Sequence, residues 1–587
     1  MQKKNPSIQS RRTGSTIISD AFRATRSGFV TAIIFSFFIN LLAFVGPLYM
    51  LQIYDRVITS RSIITLIALT GIAGFLLLVY AFLEKIRSAI LVRLGILFST
   101  LARTRLFDAV LKGTLLQPGR GHSQALRDLD TLREFLTGAG LISFCDAPWV
   151  PIFVIGCFIL HPWYGIVASA GAVLIFGFAI ANELLTRKHL KAASANAVMA
   201  GAYAASTFRN AEVLYAMGML SGLRERWLAR QDEGLQLQAA ASDRAGHLLA
   251  ASKFIRAFLQ VAILGTGAYL SIEQDSTPGA MIAASIIMGR ALAPVEIAVA
   301  NWKGFIAARS AYDRIVSLFE VVPEEAEKMA LPPPTGHLSV ENVIAVPPNG
   351  KEPVLRGVSF VLRPGEVLGV LGTSAAGKSS LARVLVGVWP ALNGKVRIDG
   401  AELGHWSAEK LGRHIGYLPQ DVELFSGSIA ENIARFSDLD EEKIIAAARM
   451  AGVHEMVQSM PGGYNTQIGE GGLALSGGQR QRIGLARALY ASPAYVILDE
   501  PNASLDADGE AALLSAIQQL RQNGSTVVLI THKTNILATV DKIIVLAHGQ
   551  VAGFGTRDEM LAKLLGPRLT PVPTSSAPVQ ASAAASA

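Results

Sequence analysis

Six apolar stretches, each close to the ~20 residues a helix needs to cross a bilayer, crowd into the first 305 positions of this 587-residue chain. They run over 29–51, 63–83, 141–160, 163–183, 254–273 and 279–301. The first (FVTAIIFSFFINLLAFVGPLYML) and second (IITLIALTGIAGFLLLVYAFL) are clear, while the fifth and sixth are interrupted by polar groups. Hydrophobic residues make up 51% of the chain and charged residues 17%, against about 25% charged in an ordinary soluble protein. The deficit points to lipid-facing surface.

Loop charges separate membrane spans from the buried helices of a soluble protein. Lys and Arg collect in the N-terminal tail, in 84–138 and in 184–246, whereas 161–162 and 274–278 carry none and 52–62 carries only Arg56 and Arg61. By the positive-inside rule the N-terminus and both long loops are cytoplasmic. The outer connections are then very short. The long inner segments read as membrane helices prolonged into the cytoplasm, each ending in a short helix that touches the following domain. Because the basic residues flank apolar runs, the net charge of +8 is read as a membrane preference and not as nucleic-acid binding. The basic chain start is not followed by a short apolar run with a cleavage site, so no signal peptide is read. Cys145 and Cys157 form neither a metal cluster nor a disulfide framework and read as small apolar residues.

Composition changes near 322. The expected organisation is a basic cytoplasmic tail over 1–28, a six-helix membrane region over 29–320, a stiff Pro-containing linker over 321–337, an α/β domain over 338–565, and a Pro/Ser/Ala tail over 566–587 expected to be disordered.

Chemistry concentrates in the α/β part. An apolar strand pattern, EVLGVL, runs into Gly372, Thr373, Ser374, Ala375, Ala376, Gly377, Lys378, Ser379 and Ser380, which is G-x4-G-K-S between a strand and a helix pattern. In such a loop the glycines let backbone N–H groups curl towards phosphate oxygens, and the helix start adds a favourable dipole. Lys378 is expected to reach the β- and γ-phosphates and Ser379 to hold Mg²⁺. A second apolar strand, YVIL, ends in Asp499 and Glu500; Asp499 is placed to bind Mg²⁺ through water and Glu500 to polarise an attacking water as general base. A third segment, Ser476, Gly477, Gly478 and Gln479, offers another helix start facing phosphate.

LSGGQ resembles the signature of the ATP-binding-cassette (ABC) ATPases, and the rest of that family's set follows in order. Gln420 in YLPQ is similar to the Q-loop residue that contacts Mg²⁺ or water. Asp506 in ASLD matches the D-loop, and His532 in LITH matches the switch histidine that contacts the γ-phosphate. The resemblance implies ATP and Mg²⁺ as cofactors. It also implies a dimer, because in the family the signature of one cassette closes over the phosphate loop of another; a homodimer is expected, since every catalytic position is filled here. One position departs from the pattern. The family carries an aromatic residue that stacks on adenine, and here Pro347 stands nearest that place, so nucleotide selectivity is expected to be loose.

The membrane half is similar to the exporters of type I protein secretion, in the alkaline-protease and RTX-protein branch. The residues behind this are GPLYMLQIYDRV (46–57), SRS (60–62), FCDAPWVP (144–151), RNAE with AMGM (209–219) and GRALAP (289–294). The fold implied is an α-helical six-span membrane domain of type I ABC exporter kind plus an α/β P-loop ATPase domain. The resemblance further implies an unfolded polypeptide substrate with a C-terminal signal, a membrane-fusion (periplasmic adaptor) partner, an outer-membrane channel, and a bacterial inner-membrane location with the N-terminus and ATPase cytoplasmic. Only about 28 residues precede the first span, so a leading peptidase-like domain is not expected. Three ionisable residues fall inside spans: Asp146, which either caps at the inner interface or faces a wet cavity, and Arg290 with Glu296, read as cavity-lining. Arg127, Asp128 and the 209–219 stretch are read as coupling elements. A lipid or drug exporter, a non-transport cassette ATPase and a membrane regulator remain the competing readings.

Overall fold

The chain divides into two units, Met1–Glu324 and Glu325–Ala587. The structure, a computed structural model, describes residues 15–119, 121–322, 328, 331–472, 475–533 and 535–565. The Pro/Ser/Ala tail and residues 323–327 and 329–330 of the linker lie outside the described residues.

Six helical segments of the first unit are long and apolar enough to cross a membrane: Asp20–Ser60, Ile63–Leu116, Ala139–Leu160, Pro162–Phe208, Leu220–Ile272 and Pro278–Ala300. Prolines set their breaks. Pro47 has no N–H to give to Ala43, and the helix Ser15–Leu42 stops there before Val45–Gln52 resumes and runs into a π-helical turn, Ile53–Val57. Pro148 likewise sits within a 3₁₀ turn, Ala147–Trp149, between Ala139–Asp146 and Val150–Leu160, and Pro151 follows in the first turn of the latter. The second span opens on Ser62, whose hydroxyl accepts from the Thr65 N–H at 3.3 Å, and continues for 54 residues. At the usual helical rise that is about 80 Å, far more than a bilayer core. The fourth and fifth spans, of 47 and 53 residues, are overlong in the same way.

The ends of these helices differ from the sequence reading in two respects. The segment read as a tail is helical from Ser15, because Ala21 and Thr25 are buried and the Phe22 ring packs on Phe98 with centroids 4.9 Å apart. The 14-residue helix Gln124–Thr137 folds back onto its own unit, burying Leu129, Leu132 and Leu136 against Phe98, Ile315 and Leu318. Asp128 is buried within it and accepts from the Arg314 Nη2 at 2.7 Å and Nε at 2.8 Å, so its carboxylate is not presented at a surface. By contrast, the short helix Ala211–Ala216 and its flanks are exposed, Tyr215 at 89%.

Ionisable groups within the spans find partners. Arg87, 2% exposed, donates to Asp146 at 2.6 Å, to the Ser36 hydroxyl at 2.8 Å and to Glu84 at 2.9 Å. Asn40 donates to the same Asp146 oxygen at 3.0 Å. Asp146 thus ties the first three spans together instead of opening onto a cavity. Glu296 pairs with Arg256 of the fifth span at 3.0 Å, whereas Arg290 is exposed. Where the first span ends and the sixth begins, Asp55 accepts from the Thr277 hydroxyl at 2.5 Å and from the Gly279 N–H at 2.9 Å, which caps the sixth span from the first. Both cysteines are buried and free.

The second unit carries a six-stranded sheet in the spatial order Gln550–Thr556, Lys542–Ala547, Val367–Gly372, Thr526–Ile530, Tyr495–Asp499, Ile415–Leu418. All neighbours are parallel except the first pair. Strands covered on both faces read as continuous apolar runs, and Thr526–Ile530 and Tyr495–Asp499 are buried at every residue. A second, antiparallel sheet runs Leu355–Leu362, Leu338–Ala345, Asn393–Ile398, Ala401–Glu402. A helical lobe spans 429–489. Arg435 joins it to the main sheet by donating to the carbonyls of Arg487, Gly412, Ile415 and Ala488 at 2.9–3.0 Å. Burial pushes the Arg435 guanidinium down to about 10, which leaves it charged at neutral pH. Gly372, Asp499 and Ile530 end three adjacent parallel strands at their carboxyl side, where open α/β sheets place their ligands.

Candidate functional site

From the first of these strand ends the loop 373–377 turns back over the sheet. Gly372 has φ +154°, and a Cβ there would lie 2.4 Å from the Leu546 carbonyl. Gly377, at φ +99°, opens the helix Lys378–Leu385, and Ala375 is also left-handed at φ +62°. Lys378 is 7% exposed, and its ammonium donates to the Gly372 and Thr373 carbonyls at 2.9 Å each. That holds one positive charge over a ring of backbone amides. The cleft in front, about 340 Å³, is lined by Ser374, Ala375, Ala376, Gly377, Lys378, Ser379 and Ser380 of the loop, with Val354, Gln420, Glu500 and His532 facing them.

The acidic strand end supplies two differently placed carboxylates. Asp499 is 2% exposed, and its Oδ1 has no hydrogen-bond partner among the described residues. Burial pushes the Asp499 carboxyl above the usual range and the Glu500 charge adds to this; the Ser379 hydroxyl, Arg383 and Lys378 work against it. Glu500 reaches further out. Its Oε2 accepts from Gln420 at 2.9 Å, and its Oε1 lies 3.3 Å from the His532 Nε2. Its backbone is left-handed at φ +49°, an uncommon conformation for a residue with a side chain.

The signature residues do not line this cleft. Ser476 caps the helix Gly477–Leu489: its hydroxyl accepts from the Gln479 N–H at 3.2 Å, and the Gln479 side chain accepts from the Ser476 N–H at 2.9 Å. Asp506 is likewise engaged locally, accepting from the Gly509 N–H at 2.9 Å as cap of the helix Ala507–Gln522.

The ABC transporter family matches residues 355–503, and the ABC transporter transmembrane region matches 29–293. The type I secretion system ATP-binding protein PrsD of Rhizobium meliloti is 42% identical over 93% of this chain and 94% of its own length. The chain belongs to the ABC transporters of type I secretion. Two more distant relatives are the toxin RTX-I translocation ATP-binding protein of Actinobacillus pleuropneumoniae, 29% identical over 92% of this chain and 77% of its own length, and the leukotoxin translocation ATP-binding protein LktB of Mannheimia haemolytica, 29% identical over 91% and 76%. A bacterial Atm1-family ABC exporter solved with ATP bound has the same fold, with a TM-score of 0.76, 22% identity, and coverage of 92% of this chain and 97% of its own.

In this ABC transporter the second unit is therefore an ATP-binding ATPase domain. Two residues that shape its site escaped sequence reading. Val354 enters the cleft from the loop ahead of Leu355–Leu362, and nothing in its type or spacing marks it. Gln481, 4% exposed, lies two residues beyond the signature and one helical turn before the buried Leu485; a polar residue one turn from a buried apolar one is the signal that could have found it.

Proposed function

We propose that two copies of this transporter form a pair of composite ATPase sites and use them to drive an unfolded polypeptide out of a bacterial cytoplasm. The observation that carries the reading is the separation within one chain of Lys378, Gln420, Glu500 and His532, which share a cleft, from Ser476–Gln479, which do not. A second cassette would bring its helix start and Ser476 hydroxyl to the open side of that cleft. A C2 homodimer gives two equal sites from one sequence.

The residues fit MgATP. The backbone amides of 374–380 and the Lys378 ammonium would hold the phosphates. The unpartnered Asp499 Oδ1 beside the Ser379 hydroxyl supports a hard cation at that corner, with Gln420 next to it. The cation, when bound, would offset charge on the phosphate oxygens. Glu500 would orient the attacking water and accept its proton, with Gln420 and His532 fixing its carboxylate. His532 would then donate towards the terminal phosphate. Closure of two cassettes over nucleotide, and their parting after hydrolysis, would supply the motion.

The secretion and toxin-translocation roles in the names of the relatives support a protein substrate. They also support an inner-membrane placement with the ATPase in the cytoplasm, together with a periplasmic adaptor and an outer-membrane channel as partners. The loops on the outer side are too short to cross a periplasm. The test is ATPase activity of the reconstituted transporter against C-terminal peptides of secreted proteins encoded beside it. Peptide-dependent stimulation is the expected result, and stimulation by lipids or amphiphiles alone would move the reading to a lipid or drug exporter.

A further inference from the structure

The helix that begins with the signature residues touches the backbone of the catalytic glutamate of its own chain through one side chain. Gln481 donates its amide N–H to the Glu500 carbonyl at 3.1 Å, and its side-chain oxygen accepts from the Ser504 N–H at 2.8 Å. The helix lies close there: a Cβ on Gly478 would be 2.7 Å from the Ser504 carbonyl. A buried amide is costly unless both ends are satisfied, and here both are.

Glu500 needs such support. A left-handed φ on a glutamate persists only where its surroundings over-determine it. Its N–H donates to the Ile530 carbonyl at 3.0 Å, and its own carbonyl accepts from Ala503 at 3.2 Å as well as from Gln481. The strand ladder thus fixes one side of the peptide and Gln481 fixes the other. The loop beyond is held in turn by Asn502, whose side-chain oxygen accepts from the buried Thr531 hydroxyl at 3.2 Å, next to His532.

We infer that Gln481 is a positioning residue that links the two ATPase sites of the dimer. This rests on the composite-site reading above. In that dimer Ser476–Gln479 serve the partner's nucleotide, whereas Glu500 serves the nucleotide on its own Lys378 loop. Gln481 sits on the signature helix and holds the Glu500 backbone. Engagement of the signature with one nucleotide is therefore transmitted, through a single side-chain amide, to the general base acting on the other. The same amide holds Ser504, so the 503–506 loop shifts with it.

The full-length transporter in nanodiscs provides the test, with Gln481→Met, which keeps length and removes both hydrogen bonds, and Gln481→Glu, which as a carboxylate keeps the acceptor for Ser504 and has no proton to donate to the Glu500 carbonyl. Both variants are expected to bind ATP with wild-type Kd and, because each strands a buried polar group, to unfold at a lower temperature while staying folded under assay conditions. Their kcat is expected to fall about 100-fold through misplacement of the carboxylate, with KM little changed. The Hill coefficient for ATP hydrolysis is expected to drop from above unity in the wild type to unity. In the Glu500→Gln background, Gln481→Met is expected still to dimerise with MgATP. A wild-type Hill coefficient in a folded variant, or an unchanged kcat, would overturn the inference. Loss of MgATP-driven dimerisation only on adding Gln481→Met would overturn it too, by assigning the residue to closure. Failure of Glu500→Gln alone to dimerise would overturn the composite-site reading and this inference together. Should Gln481→Met not fold, Gln481→Glu decides by the same two kinetic readouts.

Discussion

The side-chain amide of Gln420 donates to Oε2 of Glu500 at 2.9 Å, bridging the end of one parallel strand to the end of its neighbour. The His532 Nε2 lies 3.3 Å from the other oxygen, so both carboxylate oxygens have a neighbour that fixes their direction. Glu500→Gln keeps the shape and removes the capacity to accept a proton. The expected outcome is a loss of kcat of about 1,000-fold, in the middle of the range for general-base removal, with ATP binding intact and a MgATP-dependent dimer trapped in detergent. Sedimentation velocity with and without MgATP checks it; a protein that stays monomeric would sink the scheme.

The Arg87–Asp146 pair joins the second span to the third, with Ser36 and Asn40 of the first closing the network. Breaking a buried ion pair from one side costs about 3–5 kcal/mol, because the other charge is stranded. Arg87→Leu is expected to lower the unfolding midpoint in detergent, and adding Asp146→Leu to recover part of the loss. Arg87→Lys is expected not to rescue, since a lysine lacks the fork that reaches Asp146, Ser36 and Glu84 together. Strictly additive losses in the double variant would exclude the coupling.

Asp399 ties the end of the linker to the antiparallel sheet. It accepts from the Thr335 N–H and hydroxyl at 2.5 and 2.8 Å and from the His337 N–H at 2.9 Å. Burial alone would raise its carboxyl, but these hydrogen bonds prevail and hold it below the usual value of 3.8. A carboxylate depressed in the folded state stabilises the fold above its unfolded pKa, and that contribution is lost as pH falls through the folded one. Asp399→Asn is expected to lower the thermal midpoint at neutral pH, with the gap from wild type closing in acid below the unfolded carboxylate range. A gap that persists unchanged into acid would show that the charge is irrelevant.

Pro347 begins the turn closed by the Gly350 N–H on its carbonyl at 2.8 Å, ahead of Val354 at the cleft. With no aromatic ring there, base recognition is expected to rest on aliphatic contact. Pro347→Tyr is expected to add about 1 kcal/mol of stacking, roughly fivefold in ATP affinity, and to raise the ATP-over-GTP preference. Equal effects on both nucleotides, or none, would place this residue away from the base.

Much of this architecture is legible in residue order because its physical demands are local. Six spans announce themselves by apolar length alone, and the phosphate loop by glycines whose φ values, at Gly372 and Gly377, suit few other residues. The strand that ends in Asp499 is apolar because helices cover both its faces. What could not be read was set by distant partners. Asp146 looked equally like a cap or a cavity group until Arg87, 59 positions earlier, supplied its charge. Asp128 looked like a surface coupling residue, yet Arg314, 186 positions later, turns it inward. Ser15–Gly28 reads as a basic tail in isolation and is helical because Phe98 and Tyr312 give its apolar side a place to pack.

The carboxylate of Asp55 closes the start of the sixth span from the end of the first. Two helices fastened in this way are expected to move as a single rod-pair during each opening. Any route for cargo between them would first have to unfasten this cap. The seam through which a chain leaves is then expected to lie between other spans, with this latch on its frame.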